Sequence, residues 1–312
     1  MRVVTTLPAA TELVATLGVD PVGVSHACDH PPRVTDRPTV TRSRIDAAGS
    51  SADIDRQVLA FDESDGPFSI DAAAIDRLDP DVIVTQGVCD VCAIDAGTVE
   101  RDLDRIDADP TIVTIDSHTV DGVVDDLERL GTVLGRQQEA ATVREELEGR
   151  LQRLRSKTAT VSADERPRTV VFDWMDPVMV AAHWVPELVR TAGGRYDLAE
   201  SGTTARPREW DEILAYDPEA IVVAPCGFDL DQTAANARNL WDRPGWEDLT
   251  AVRDGRIWAI DGDGFVNRPG PRVVDAAELF GRLFHPAAVG DVREHPAAEA
   301  VRSFPVGSAD RA

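Results

Sequence analysis

Cysteine side chains are the strongest candidate metal ligands in this sequence. There are four of them, and the spacing of Cys89 and Cys92, with two residues between them, occurs in zinc and iron–sulfur sites. Cys28 and Cys226 would complete a set of four thiolates. A buried cysteine is also common as a small hydrophobic residue, so the spacing alone is a weak signal. A zinc or iron–sulfur centre is therefore one hypothesis for this chain.

The aromatic residues point to a different chemistry, the binding of an organic ligand. Phe, Trp and Tyr make up only 5% of the chain, yet Trp174 and Trp184 occur among polar residues close to His183. Either tryptophan can be a simple core residue. However, an aromatic side chain among polar residues at the end of a strand more often lines a ligand pocket. The same interpretation applies to Phe228, which follows Cys226 and Gly227.

Sequence motifs for catalysis are missing. The chain has no Gly-x-Ser-x-Gly nucleophile turn, no glycine-rich phosphate loop and no His-Glu-x-x-His metal motif. Paired carboxylates are uninformative, because acidic residues occur throughout the sequence. Ligand binding is therefore favoured over catalysis.

The candidate residues follow short hydrophobic segments that are typical of buried strands, and helical stretches alternate with these segments. The predicted strands are Arg2–Leu7, Val22–Ser25, Val82–Thr85, Thr111–Ile115, Thr169–Phe172, Ala220–Ala224 and Arg256–Ile260. This alternation predicts an α/β fold with parallel-rich sheets. Ligands bind beyond the carboxyl ends of such strands, where we expect all four cysteines and four of the six histidines to face one crevice.

A long helical stretch separates two parts of the chain. Residues 119–161 are rich in Glu, Leu, Arg and Gln, with Leu127 and Leu130 at helical spacing. An Asp-Pro turn before a hydrophobic strand occurs on both sides, at Asp79 and at Asp217, which indicates two lobes of similar topology. We predict an N-terminal lobe over 1–118, bridging helices over 119–161, a C-terminal lobe over 162–288 and a loosely ordered tail over 289–312.

Charge and composition exclude two kinds of partner. Acidic side chains number 56 against 32 basic ones, the net charge is −24, and Lys157 is the only lysine. Such a surface repels nucleic acid and anionic membranes. Acidic residues spread over the whole chain favour a halophilic source, because salt inside the cell screens their repulsion. No apolar leader or membrane-spanning run is visible, which predicts a cytoplasmic protein without membrane insertion, or an exported one if the start codon is misassigned.

Several motifs within about residues 1–286 resemble the substrate-binding proteins of iron-siderophore and cobalamin ABC importers. They are Leu7-Pro8-Ala9-Ala10-Thr11-Glu12-Leu13, Gly23-Val24-Ser25-His26, His183-Trp184-Val185-Pro186-Glu187-Leu188, Pro225-Cys226-Gly227-Phe228-Asp229 and Asn267-Arg268-Pro269-Gly270-Pro271. The last three are similar to the cobalamin-binding branch. The resemblance implies two Rossmann-like lobes joined by a long helical spine, with a cobalamin-like corrinoid held in a cleft between them.

This resemblance also implies which residues would contact the ligand. We expect aromatic and imidazole groups to wall the corrinoid and three further residues to make polar contacts. The wall would comprise Trp174, His183, Trp184 and Phe228, and the polar contacts would be Thr11, His26 and Arg268.

Members of the family dock on a transporter permease through one acidic residue per lobe, a fixed distance before the Asp-Pro-type motif. Counting back from Pro218 gives Asp211, whereas counting back from Pro80 gives Ala73. An ABC transporter permease is therefore an implied partner with one docking residue in place. The alternative to a corrinoid-binding protein is a cytosolic metal- or thiol-dependent enzyme that uses the cysteine and histidine residues.

Overall fold

We analysed a computed structural model, which describes residues 1–61, 66–88, 94, 96–103 and 108–304. The chain divides into two compact units. Unit 1 comprises Met1–Gly49, Asp53–Ser117 and Asp121–Glu146, and unit 2 comprises Ser50–Ala52, His118–Val120 and the described part of Leu147–Ala312. Each unit combines helices with parallel strands, so the predicted α/β fold is confirmed.

The first half of the chain begins with a strand, and strands and helices alternate from there. Its strands are β1 (Val3–Thr5), β2 (Thr41–Ser43), β3 (Phe68–Ile70), β4 (Val82–Gln86) and β5 (Thr111–Ile115). Its helices are α1 (Pro8–Thr16), α2 (Ser51–Leu59), α3 (Ala72–Leu78), α4 (Ala96–Leu103), α5 (Val120–Val133) and α6 (Gln137–Thr158).

Unit 1 is built on a parallel sheet in the order β1-β4-β5, with β2 and β3 as a separate antiparallel pair. Val82, Ile83 and Val84 of β4 are buried, as expected for a parallel strand that is covered on both faces. The predicted strand Val22–Ser25 is instead a segment with isolated bridges to Val4 and Thr39.

The second half of the chain has a larger sheet. Its strands are β6 (Thr169–Met175), β7 (Val178–Val180), β8 (Arg206–Pro207), β9 (Ala220–Val223), β10 (Ile257–Ile260) and β11 (Val301–Ser303). Its helices are α7 (Val185–Thr191), α8 (Trp210–Tyr216), α9 (Leu230–Ala235), α10 (Arg238–Trp241), α11 (Thr250–Arg253), α12 (Val273–Phe284) and α13 (Pro286–Val289).

The sheet of unit 2 has the order β11-β10-β9-β6-β7-β8, in which β10, β9 and β6 are parallel and the outer strands are antiparallel. The sequence predicts a loosely ordered tail from residue 289, whereas the structure places Val301–Ser303 beside β10. Because β11 pairs with a buried strand, its backbone groups gain partners that the sequence pattern does not reveal.

Helix α6 also differs from the predicted domain boundaries. The sequence assigns 119–161 to a separate bridging segment, but the two units meet within α6, between Glu146 and Leu147. Ala140 belongs to a hydrophobic cluster of unit 1. Leu154 is buried in unit 2, close to Gly281 of α12.

The two Asp-Pro turns have the same backbone conformation. Helix α3 ends at Asp79 with φ 41°, and α8 ends at Asp217 with φ 44°, and a parallel strand follows each turn. An arginine directly before the first strand of each unit holds its turn. Arg2 Nε donates to the carbonyls of Leu78 and Asp79, and Arg168 Nε donates to the carbonyls of Tyr216 and Asp217.

Candidate functional site

The carboxyl end of β6 carries an irregularity in the sheet of unit 2. The pairing of β6 with β7 shifts register between Phe172 and Trp174, which makes Asp173 an extra residue in β6. Such a bulge interrupts the alternation of side chains along a strand. Asp173 and Trp174 are both partly exposed, whereas Phe172 and Met175 on either side are buried. The bulge therefore presents two consecutive side chains at the end of a buried strand.

Trp174 has an indole donor without a partner. Its Nε1 atom is buried and makes no hydrogen bond to any residue that the structure describes. The ring lies 5.0 Å from that of buried Phe228, measured between centroids, with an angle of 56° between the planes. Leaving a buried donor unpaired costs about 1–3 kcal/mol. This N–H is therefore suited to an acceptor on a bound ligand.

Asp173 has a carboxyl group in an unfavourable environment for charge. Burial raises its pKa to about 7. Among the residues described, none donates a hydrogen bond to this carboxyl and no arginine forms an ion pair with it. Its main-chain carbonyl accepts a hydrogen bond from the N–H of Cys226, which fixes the backbone of the bulge. A perturbed titratable group beside an unpaired donor is typical of a functional site.

His183 follows β7, and its position is held by its own backbone. It has φ 51°, its N–H donates to Thr203 and its carbonyl accepts from Gly202. Its Nδ1 atom lies 2.9 Å from Nδ1 of His118, so one imidazole donates and the other accepts. Burial, and secondarily the nearby His118, lowers the pKa of His183. The two imidazoles therefore form a hydrogen-bonded pair.

Trp184 and Arg268 have partners within unit 2. Trp184 is buried, and its Nε1–H donates to the carbonyl of Val266 over 2.8 Å. Arg268 is 3% exposed, and its guanidinium lies 3.2 Å from the carboxylate of Asp263. The sequence predicts both as ligand contacts. In the structure their polar groups stabilise the loop after β10.

The two predicted contacts in unit 1 differ from each other. Thr11 is fully buried, and its hydroxyl lies 2.6 Å from that of Thr5 and 3.0 Å from the thiol of Cys28. His26 is exposed, with Nδ1 2.8 Å from the hydroxyl of Thr41 and its ring 5.9 Å from that of Phe68. Only His26 therefore offers an accessible side chain.

The metal hypothesis gains no support from the described residues. Cys28 and Cys226 form no disulfide with a described residue, and Cys89 and Cys92 lie outside the described residues. One described group has metal-ligand geometry, and it contains no cysteine. It consists of Asp275, Glu278 and His295.

An arginine already occupies that group. Arg150 of α6 bonds the carboxylates of Asp275 and Glu278 at 2.5 and 2.7 Å. Hydrogen bonds from His295 and Arg150 outweigh burial and lower the pKa of Glu278 to about 2. The positive charge that a metal ion would supply therefore comes from Arg150, and the group is an ion-pair network.

Sequence reasoning missed two residues of the site, Asp173 and His118. Asp173 follows directly after the predicted strand Thr169–Phe172, and that position was a usable signal. His118 follows β5 in the same way, but its contact with His183 spans 65 residues of chain. The predicted docking residue, Asp211, is exposed in the first turn of α8.

An α/β fold whose strand ends carry an unpaired indole donor and a perturbed carboxyl defines a ligand-binding protein. Residues 3–263 match the periplasmic binding protein family, and the chain belongs to this family. This is a family of substrate-binding proteins, which agrees with the expectation of binding over catalysis. No helix in the described residues is long and apolar enough to cross a membrane.

Known proteins with the same fold carry different ligands. An uncharacterized ABC transporter substrate-binding lipoprotein of Bacillus subtilis (strain 168), YvrC, is 22% identical over 229 residues, which cover 72% of this chain and 68% of that protein. A periplasmic heme-binding protein of Pseudomonas aeruginosa is 22% identical with a TM-score of 0.67, covering 92% of this chain and 93% of its own. The vitamin B12-binding protein BtuF of Vibrio cholerae is 23% identical with a TM-score of 0.64, covering 91% and 96%.

These relatives correct the predicted location. The cytoplasmic assignment is wrong, because the family is periplasmic and the Bacillus subtilis relative is a lipoprotein. The physical reason is that an export signal is separate from the folded domain. The residues that form the fold therefore do not show in which compartment the protein functions.

Proposed function

We propose that this chain is the substrate-binding component of an ABC importer and that its ligand is a corrinoid. The observation that carries the choice of ligand is the buried Nε1–H of Trp174, which has no hydrogen-bond partner among the described residues, in a ring that lies beside that of Phe228. A corrinoid offers a broad apolar ring and many peripheral carboxamides. The ring suits aromatic side chains, and a carboxamide oxygen suits the indole donor.

Charge favours a corrinoid over heme. Heme carries two carboxylates, which need cationic partners in a buried site. Two guanidiniums of unit 2 are already paired: Arg268 of the loop after β10 lies beside Asp263, and Arg243, which donates to the carbonyl of Met175 at the end of β6, lies 3.5 Å from Asp176. Asp173 adds a further acidic group. Amide-substituted corrinoids avoid this repulsion. Trp174, Phe228 and His183, all in unit 2, are the proposed contacts.

The proposed partner is a transporter permease. Asp211 is exposed in the first turn of α8, as a docking residue requires. In unit 1, the corresponding helix α3 has Ala73 at the counted position. Asp71 caps that helix by accepting from the N–H of Ala74, and it pairs with Arg42 over 3.1 Å. We therefore propose Asp211 as the docking residue.

Isothermal titration calorimetry with cyanocobalamin, hemin and a ferric siderophore tests the ligand. We expect cyanocobalamin to bind with a Kd well below millimolar and more tightly than the other two. Trp174→Phe removes one hydrogen-bond donor and keeps an aromatic ring, so it should weaken binding about three- to tenfold. Trp241→Phe is the matched control, because Trp241 packs on Phe304.

The binding results with these ligands and variants test the parts of this proposal separately. Binding of hemin without cyanocobalamin would contradict the corrinoid assignment and keep the importer class. Equal effects of Trp174→Phe and Trp241→Phe would contradict the role of the Trp174 donor. The docking proposal is tested separately, by reconstituted transport with Asp211→Ala.

A further inference from the structure

We propose that Asp173 is a specificity-determining residue that selects a ligand with carboxamide groups and rejects its carboxylate analogue. This inference rests on the proposed function, because it concerns the ligand of the same strand end. It assigns a role to a residue that neither the family motifs nor the sequence pattern singles out.

The geometry of the bulge is the first support. Asp173 is the extra residue of β6, and Trp174 follows it directly, so an oxygen-bearing side chain and an indole donor occupy consecutive positions. A primary carboxamide has one carbonyl acceptor and two N–H donors. Trp174 can donate to the carbonyl and Asp173 can accept from the amide N–H. A carboxylate has acceptors only, so it can satisfy the indole but not Asp173.

The lack of a neutralising partner is the second support. In the described part of the chain, no cation and no hydrogen-bond donor contacts the Asp173 carboxyl. Tyr196 is close enough to interact electrostatically with Asp173 and with Arg208, and its hydroxyl donates to the carbonyl of Ala181. Burial, and then the charge of Asp173, raises the pKa of Tyr196, so it remains neutral. A ligand carboxylate would therefore meet an uncompensated like charge in a partly buried site.

A structural explanation for Asp173 is less satisfactory. A carboxyl that caps a helix or closes a turn accepts hydrogen bonds from backbone N–H groups, as Asp71 and Asp229 do in this chain. Asp173 accepts none from the described residues. A side chain that disfavours the folded state without a local partner indicates a functional requirement at that position.

A pair of corrinoids that differ only at the ring periphery tests this inference. Dicyanocobinamide carries carboxamides and dicyanocobyrinic acid carries carboxylates, on the same ring and cobalt. Calorimetry at pH 8 should show the wild-type protein binding the amide form at least about tenfold more tightly, which is about 1.4 kcal/mol. Asp173→Asn should reduce this ratio at least about threefold, mainly by tighter binding of the acid.

Asp176→Asn is the matched control. It removes the same charge three residues further on, where the carboxylate is 50% exposed and lies 3.5 Å from Arg243. We expect this variant to keep the wild-type ratio. Thermal unfolding followed by circular dichroism checks that both variants fold, and Asp173→Ala gives a second replacement without amide donors.

The outcomes distinguish the two proposals. Tight cobinamide binding with an equal affinity for cobyrinic acid would overturn the role of Asp173 and leave the corrinoid assignment standing. An Asp173→Asn ratio equal to that of the wild type would do the same. Failure of the folded wild-type protein to bind either corrinoid would overturn the proposed function and this inference with it.

Discussion

The strand ends of unit 1 and unit 2 have similar sequence patterns, but their polar side chains differ in whether they find hydrogen-bond partners. In unit 1, the hydroxyls of Thr5 and Thr11 bond each other, and the hydroxyl of Thr6 donates to that of Thr85. In unit 2, the indole of Trp174 is unpaired and the carboxyl of Asp173 has no donor among the described residues. Polar groups that hydrogen-bond each other stabilise a fold, whereas buried polar groups without a partner are available to bind a ligand.

The carboxyls of Asp126 in unit 1 and Asp173 in unit 2 illustrate this difference in hydrogen bonding. Asp126 in unit 1 accepts from the N–H of Asp116 over 3.0 Å and from the hydroxyl of Ser117, and it pairs with Arg129. Asp173 in unit 2 has none of these contacts. The difference lies in the surroundings, since both residues lie near the carboxyl end of a strand.

The largest expected contrast between the two units comes from replacing these two carboxyls, because the two variants should change stability in opposite directions. Asp126→Asn should lower the free energy of unfolding by about 2–3 kcal/mol, because hydrogen bonds to a charged acceptor are lost. Asp173→Asn should raise the free energy of unfolding at pH 8 by about 1 kcal/mol or more, because it removes an unfavourable charge. Urea denaturation of both variants measures these changes. Loss of stability in Asp173→Asn at pH 8 would contradict the contrast.

The pH dependence of the Asp173 variant follows from the sign of its pKa shift. The folded-state pKa, about 7, is above the ordinary value of 3.8. The group therefore stabilises the fold fully below about pH 4, and this contribution is lost as the pH rises through about 7. The gain from Asp173→Asn should be small at pH 5 and largest at pH 8, and a gain independent of pH would disagree.

A second, smaller difference concerns the two arginines that hold the Asp-Pro turns. Arg168 bonds two carbonyls and also lies 3.5 Å from the carboxylates of Asp217 and Glu219, whereas Arg2 is exposed. Arg168→Ala should cost about 2 kcal/mol and Arg2→Ala about 1 kcal/mol in the free energy of unfolding. Chemical denaturation measures both, and equal losses would mean that the carboxylates contribute nothing.

The smallest expected effect separates stability from binding. Thr11→Val removes a buried hydroxyl that bonds Thr5 and should cost about 1 kcal/mol of stability. Trp174→Phe removes a donor that has no described partner, which favours the fold, and part of a packed ring, whose loss disfavours it, so the net effect on stability should be within about 0.5 kcal/mol. Cyanocobalamin affinity should change in the opposite order. A tenfold loss of affinity in Thr11→Val would contradict a purely structural hydroxyl.

Much of the fold could be predicted from the sequence, because its signals are local. Hydrophobic runs such as Val82–Thr85 and Thr111–Ile115 coincide with β4 and β5, since parallel strands are buried on both faces. The Asp-Pro turns at Asp79 and Asp217 also form as similar units. The predicted strand Val22–Ser25 differs by containing Gly23, which lies against Leu78 where a Cβ would come within 2.5 Å, and only isolated bridges form there.

The sequence by itself determined which polar and aromatic residues follow the strands, because both strand formation and chain order are local properties. Only the tertiary structure decided which of these residues are satisfied. The donor of Trp184 finds the carbonyl of Val266, 82 residues away, while that of Trp174 finds none in the described chain. Hydrogen bonds act over a few ångströms in space, so residues far apart in the chain decide whether a side chain is structural or available to a ligand.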